Sequence, residues 1–118
     1  MIITYKEDNM KDLIAILEAE PFGNRKLDQA IAIKIGFPFD DQYPWAFPAF
    51  TTSVDAAFKW LVYPLKERYL SISEGLDRKW VAQLRTAEFR SPYYENKDRK
   101  LSPAHALCIG ALKAQETG

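Results

Sequence analysis

The spacing of apolar positions switches from helical to alternating and back to helical along this chain, and the switches mark its elements. Met10, Leu13, Ile14 and Leu17 recur at helical spacing, with Asp8 or Asn9 placed to cap the first turn. The helix is expected to stop near Glu20, because Pro21 disfavours helical backbone in the residue before it. After a turn at Phe22-Gly23-Asn24, Leu27, Ala30, Ile31 and Lys34 or Ile35 form one face of a second helix, from about Arg25 to Ile35. Gly36 is placed to close it in the left-handed conformation. Thr52 and Asp55 have the spacing of a capping box, and Ala57, Phe58, Leu61 and Val62 line one side of the helix they start. Pro64 stops or kinks that helix.

The period then becomes two. Leu70 and Ile72 alternate with Tyr69, Ser71 and Ser73, and Trp80, Ala82 and Leu84 alternate with Val81, Gln83 and Arg85. With a turn at Glu74-Gly75-Leu76-Asp77, this predicts an antiparallel hairpin. Ser102 caps a final Ala-rich helix, with Pro103 suited to its first turn. A lone hairpin is marginal and must pack on helices. The expected class is therefore α+β: a small antiparallel sheet between amphipathic helices, an α-β-α sandwich. At 118 residues the chain reads as one domain over 10–118. Residues 1–9 read as an N-terminal extension, since Met10 resembles a second start.

Two stretches interrupt the periodic pattern. Residues 37–50 hold Pro38, Pro44 and Pro48 among Phe37, Phe39, Tyr43, Trp45, Phe47 and Phe50, which precludes helix and interior strand. Rings at this density predict an ordered loop packed by its own aromatics. The simpler expectation is that Trp45, Phe47 and Phe50 cap the core, with most rings covered. The alternative is a binding surface of Tyr43, Trp45 and Phe47, joined by Tyr93 and Tyr94 from the second stretch, because aromatic side chains give large contact area at low entropic cost. The second stretch, 87–101, is long for a compact domain. Arg85, Arg90, Lys97, Arg99 and Lys100 lie in or beside it, interleaved with aromatics, a pattern that suits single-stranded nucleic acid. Glu88, Glu95 and Asp98 dilute that charge.

Composition narrows the function classes. Sixteen basic and sixteen acidic residues cancel, which removes the electrostatic prior for nucleic acid or anionic membrane and favours self-association. The single cysteine, Cys108, forms no intramolecular disulfide, as suits a reducing cytoplasm. No basic leader precedes an apolar run, and no apolar run approaches the ~20 residues of a membrane helix. His105 is the only histidine, so no multi-histidine metal site is expected. It pairs at i, i+3 with Cys108, but that thiol lies two turns into the helix and reads as a buried small hydrophobe. His105 itself is expected at the surface or half-buried. Asp40-Asp41 before Pro44 is turn chemistry, and Glu18 with Glu20 lacks any sign of pKa tuning. There is no phosphate-cradling glycine loop and no nucleophile elbow. Catalytic, cofactor and metal sites are therefore expected to be absent.

Four segments together resemble a known family. Met10–Ala19, Leu27–Ala32, Phe50–Ala57 and Pro103–Ala114 look, in the same order, like the helices of the phage ABA-sandwich domain. The resemblance implies an α-β-α sandwich and a phage or prophage origin, and implies no activity. The chain departs from the family's pattern at 1–9, 37–49 and 87–101, which is where its particular function is expected to lie. The resulting expectation is a small non-enzymatic protein in a bacterial cytoplasm that binds a host or phage protein, as an inhibitor of a host defence complex. The alternatives are single-stranded nucleic-acid binding through 85–100 and a structural homo-oligomer.

Overall fold

The computed structural model describes residues 9–64, 68–86 and 100–117. Helix α1 spans Asn9–Ala19, α2 Arg25–Ile35, α3 Val54–Ala57 and α4 Pro103–Thr117; strands β1, Arg68–Glu74, and β2, Trp80–Thr86, lie between α3 and α4. The strands pair antiparallel, with Ile72 opposite Ala82 and Glu74 opposite Trp80. The chain is thus a small α+β fold. Asn9 opens α1, and the rest of the expected extension lies outside the described residues.

Helix α4 is the centre of the packing. The hairpin lies on one side of it, chiefly through β2, and α1 and α3 lie against the rest of its surface. Ala104, Ala106, Leu107, Cys108, Ile109, Ala111 and Leu112 are all buried, so the helix is apolar nearly all round, as a core helix must be. Small residues let neighbours come close. A Cβ on Gly110 would sit 3.0 Å from the carbonyl oxygen of Ala82, so glycine sets the distance between α4 and β2. Leu13, Ile14 and Leu17 of α1 and Leu27 and Ile31 of α2 complete the core with Phe50, Leu61 and Val62.

Three local details differ from the sequence expectation. The α3 cap is Ser53, whose Oγ accepts from the Ala56 N–H at 3.2 Å, rather than Thr52. After Ala57 the helix widens into a π turn over Phe58–Val62, closed by a 2.8 Å bond from the Tyr63 N–H to the Phe58 carbonyl. The extra residue in the turn shifts the helical phase. Leu61 and Val62 stay buried, while Phe58, expected beside them, turns outward. The hairpin turn runs over Gly75–Lys79, with Arg78 in the left-handed region at φ 63°.

α1 ends against α4 for a reason visible in the covalent chain. The carbonyl of Leu17 would ordinarily accept from the N–H four residues on, but that residue is Pro21, which has none. His105 Nε2 supplies the bond instead, at 2.8 Å. The next carbonyl, Glu18, accepts from Lys100 Nζ. Lys100 is fixed in turn by its backbone, which pairs with Trp80 on the free side of β2. Lys113 reaches the Glu18 carboxylate at 3.0 Å.

A close backbone approach at Gly23 yields a stability prediction. A Cβ on Gly23 would lie 2.3 Å from the Thr51 carbonyl oxygen, a backbone atom that cannot step aside. Gly23→Ala should lower unfolding free energy by about 2–3 kcal/mol. Gly36→Ala, where there is open space but φ is 74°, should cost only about 1 kcal/mol. Urea midpoints at unchanged slope measure both.

Candidate binding surface on the aromatic loop

The loop between α2 and α3 is built outward from a buried carboxylate. Asp28 stands in the first turn of α2, fully buried, below the Asn24 cap whose Oδ1 accepts from the Leu27 N–H at 2.9 Å. Its Oδ1 accepts twice from Thr51, from the backbone N–H at 2.8 Å and from the hydroxyl at 2.7 Å. Its Oδ2 accepts from Arg25 Nη1 at 3.1 Å. A buried charge is tolerated only when its lone pairs are filled in this way.

Arg25 carries the pairing outward. Nη2 donates to the carbonyls of Trp45 at 3.0 Å and Phe47 at 2.9 Å, and the guanidinium lies over the Phe47 ring at 4.1 Å from its centroid. The C-terminal end of the loop's outer arc is therefore tied to α2. Phe50 closes it from below, fully buried, its carbonyl accepting from the Cys108 thiol at 3.1 Å.

Between α2 and these anchors the chain makes two turns. Asp40 opens the first, with its Oδ1 accepting from the Gln42 N–H at 2.8 Å and its carbonyl from the Tyr43 N–H at 3.1 Å. The Ala46 N–H to Tyr43 carbonyl bond, 3.0 Å, forms the second. Asp40-Asp41 is thus turn chemistry, as its sequence implies. The rings divide into two groups. Trp60, Phe37, Phe39 and Phe47 form a chain of edge-to-face contacts with centroids 5.1–6.0 Å apart. Tyr43 and Trp45 form a separate perpendicular pair at 5.7 Å.

The expectation that Trp45 caps the core is corrected by its exposure. Trp45 is 64% exposed and Tyr43 52%, while Phe47 is half-buried and Phe50 alone enters the core fully. Arg25 holds the carbonyls of Trp45 and Phe47, while the Trp45 ring lies in water. Of the sequence-derived binding residues, the structure brings Tyr43 and Trp45 together, while Phe47 is half-buried in the other ring group. Tyr93 and Tyr94 lie outside the described residues.

The basic stretch fares differently. Arg90, Lys97 and Arg99 lie outside the described residues, and Arg85 is placed only by its backbone, opposite Tyr69. Lys100 is corrected: it is 5% exposed, and its ammonium serves the Glu18 carbonyl rather than a phosphate. Arg25, Asp28 and Thr51 did not stand out in the sequence. The i, i+3 spacing of Arg25 and Asp28 was a signal, but Thr51 lies 23 residues from Asp28 and no local pattern joins them.

His105 and Cys108 belong to the core. Cys108 is buried, and desolvation, reinforced by the charge of Asp28, pushes its thiol well above the ordinary range, away from nucleophilic use. His105 is fully buried, where the sequence led us to expect it at the surface or half-buried, because it replaces the donor that Pro21 lacks. Among the described residues, no group of three or more His, Cys, Asp and Glu is placed to hold a metal ion. No described helix is long and apolar enough to cross a membrane. Comparison of the chain with protein-family models, with curated proteins and with solved structures finds no match.

The buried histidine generates a pH prediction. Burial lowers its pKa below the ordinary 6.5, partly offset by the bond to Leu17. The unfolded chain therefore binds a proton at a higher pH than the folded one does. Stability should be constant with pH above about 6.5 and fall as the pH drops below it, at no more than about 1.4 kcal/mol per pH unit for one proton. His105→Gln, which keeps a donor but does not titrate, should flatten that slope between pH 6.5 and 5 in urea titrations.

Proposed function

We propose that this chain is a small non-enzymatic protein that acts by binding another protein through the outer arc of the aromatic loop, residues 39–46. The observation that carries this is the exposure of Tyr43 and Trp45 on backbone that Arg25 holds at two carbonyls. Large aromatic side chains in water are costly to leave uncovered, and on a fixed backbone little entropy is lost when a partner covers them. The four segments that resemble the phage ABA-sandwich domain support a phage or prophage origin, with the bacterial cytoplasm as the place of action. A host defence complex, occluded by the loop, is the target this reading favours.

Nucleic-acid binding is the weaker reading, since the Lys100 side chain is buried in the core. Affinity capture from a bacterial host lysate, read by mass spectrometry, tests the proposal. A partner should be recovered by the wild type and lost by a Tyr43→Ala/Trp45→Ala variant whose unfolding midpoint is unchanged. Equal recovery by both proteins, or recovery of nothing but the chain itself, contradicts it.

A further inference from the structure

The exposed arc has a charge as well as an apolar character. Residues 37–50 contain Asp40 and Asp41 and no lysine or arginine. Every residue from Phe39 to Ala46 is exposed, so both carboxylates share one water-facing arc with Tyr43 and Trp45. The turn closed by the Tyr43 N–H to Asp40 carbonyl bond brings the backbone of these two residues to within about 7 Å. The cation of this network, Arg25, is half-exposed and is engaged by Asp28 and the two loop carbonyls.

Aromatic faces and carboxylates together favour one kind of occupant. A ring face attracts cations through its quadrupole, and a neighbouring carboxylate adds a charge partner. The loop already shows the first half of this chemistry internally, where the Arg25 guanidinium lies 4.1 Å from the centroid of Phe47. A phosphate backbone would be repelled by Asp40 and Asp41. A purely apolar partner would leave both carboxylates desolvated without a counter-charge. A guanidinium suits best, because it is planar, weakly hydrated and able to stack and pair at once.

We propose that the partner presents a basic, arginine-bearing segment to this arc, its guanidinium stacking on Tyr43 or Trp45 and pairing with Asp40 or Asp41. The inference rests on the protein-binding reading and names the chemistry of the partner.

Titration of the full-length, isotope-labelled protein by NMR, with three synthetic peptides of equal length, tests it. The peptides alternate glycine with arginine, glutamine or glutamate. The arginine peptide should shift the Trp45 indole and the Asp40–Ala46 amides, and the other two should not. Asp40→Asn/Asp41→Asn, at exposed positions and with the Asp40 turn acceptor preserved, should weaken the arginine peptide about tenfold. Added salt should weaken it further. Equal binding of arginine and glutamine peptides, unchanged affinity in the Asn variant, or no shift on the arc at millimolar peptide overturns the inference. So does a dimer, seen by sedimentation, that Trp45→Ala dissolves, because the occupant is then a second copy. The lysate capture separates the two levels. A partner lost with Tyr43→Ala/Trp45→Ala but kept by the Asn variant removes the basic segment and leaves the protein-binding role. A partner kept by both variants removes both.

Discussion

The buried carboxylate of Asp28 is the constraint on which the rest of this structure depends. It is fully enclosed, and its three hydrogen bonds reach Thr51 and Arg25, which belong to different parts of the chain. Through Thr51 it sets where the chain turns from the aromatic loop into α3. Through Arg25 it sets the shape of the loop itself. The same short segment is gripped from the other side by α4, where the Cys108 thiol bonds the Phe50 carbonyl and Ser102 Oγ lies 3.4 Å from the Thr51 carbonyl. Losing one partner of such a network costs more than the bond it removes, because the others remain buried and unpaired.

A second polar connection does for α1 what Asp28 does for the loop. Pro21 ends α1 and removes a donor, and His105 and Lys100 occupy the carbonyls left at its end. Lys100 looked like a functional candidate because it lies in a basic stretch, while His105, the one histidine, read as a surface or half-buried residue. The fold uses them as caps. The aromatic arc, by contrast, keeps Tyr43 and Trp45 exposed.

Much of the architecture was legible because it rests on local pattern. The helical spacing of Leu13, Ile14 and Leu17, the Gly36 stop and the alternation through Ile72 and Ala82 each predict the element observed. What was not legible depends on contacts distant in sequence. The π turn that moves Phe58 outward is a backbone adjustment with no composition signal. His105 reads as a surface or half-buried residue until α1 is packed on α4. The division of the rings, with Phe50 inside and Trp45 outside, goes with contacts distant in sequence, such as Phe50 against Cys108, and spacing alone carries no information on them. The aromatic loop was visible as a candidate surface, but its anchor was not.

Arg25, oriented by Asp28, holds the C-terminal end of the aromatic arc in shape. Amide hydrogen exchange of Arg25→Met against the wild type tests this directly, because methionine keeps an apolar stem over Phe47 and loses the bonds to Asp28 and the two carbonyls. Protection at Ala46 and Phe47 should fall about tenfold further than protection across Leu107–Leu112, where the loss reports only the global cost of leaving Asp28 short of a partner. Unchanged exchange in the arc, or an equal loss at Leu107–Leu112, would contradict the account.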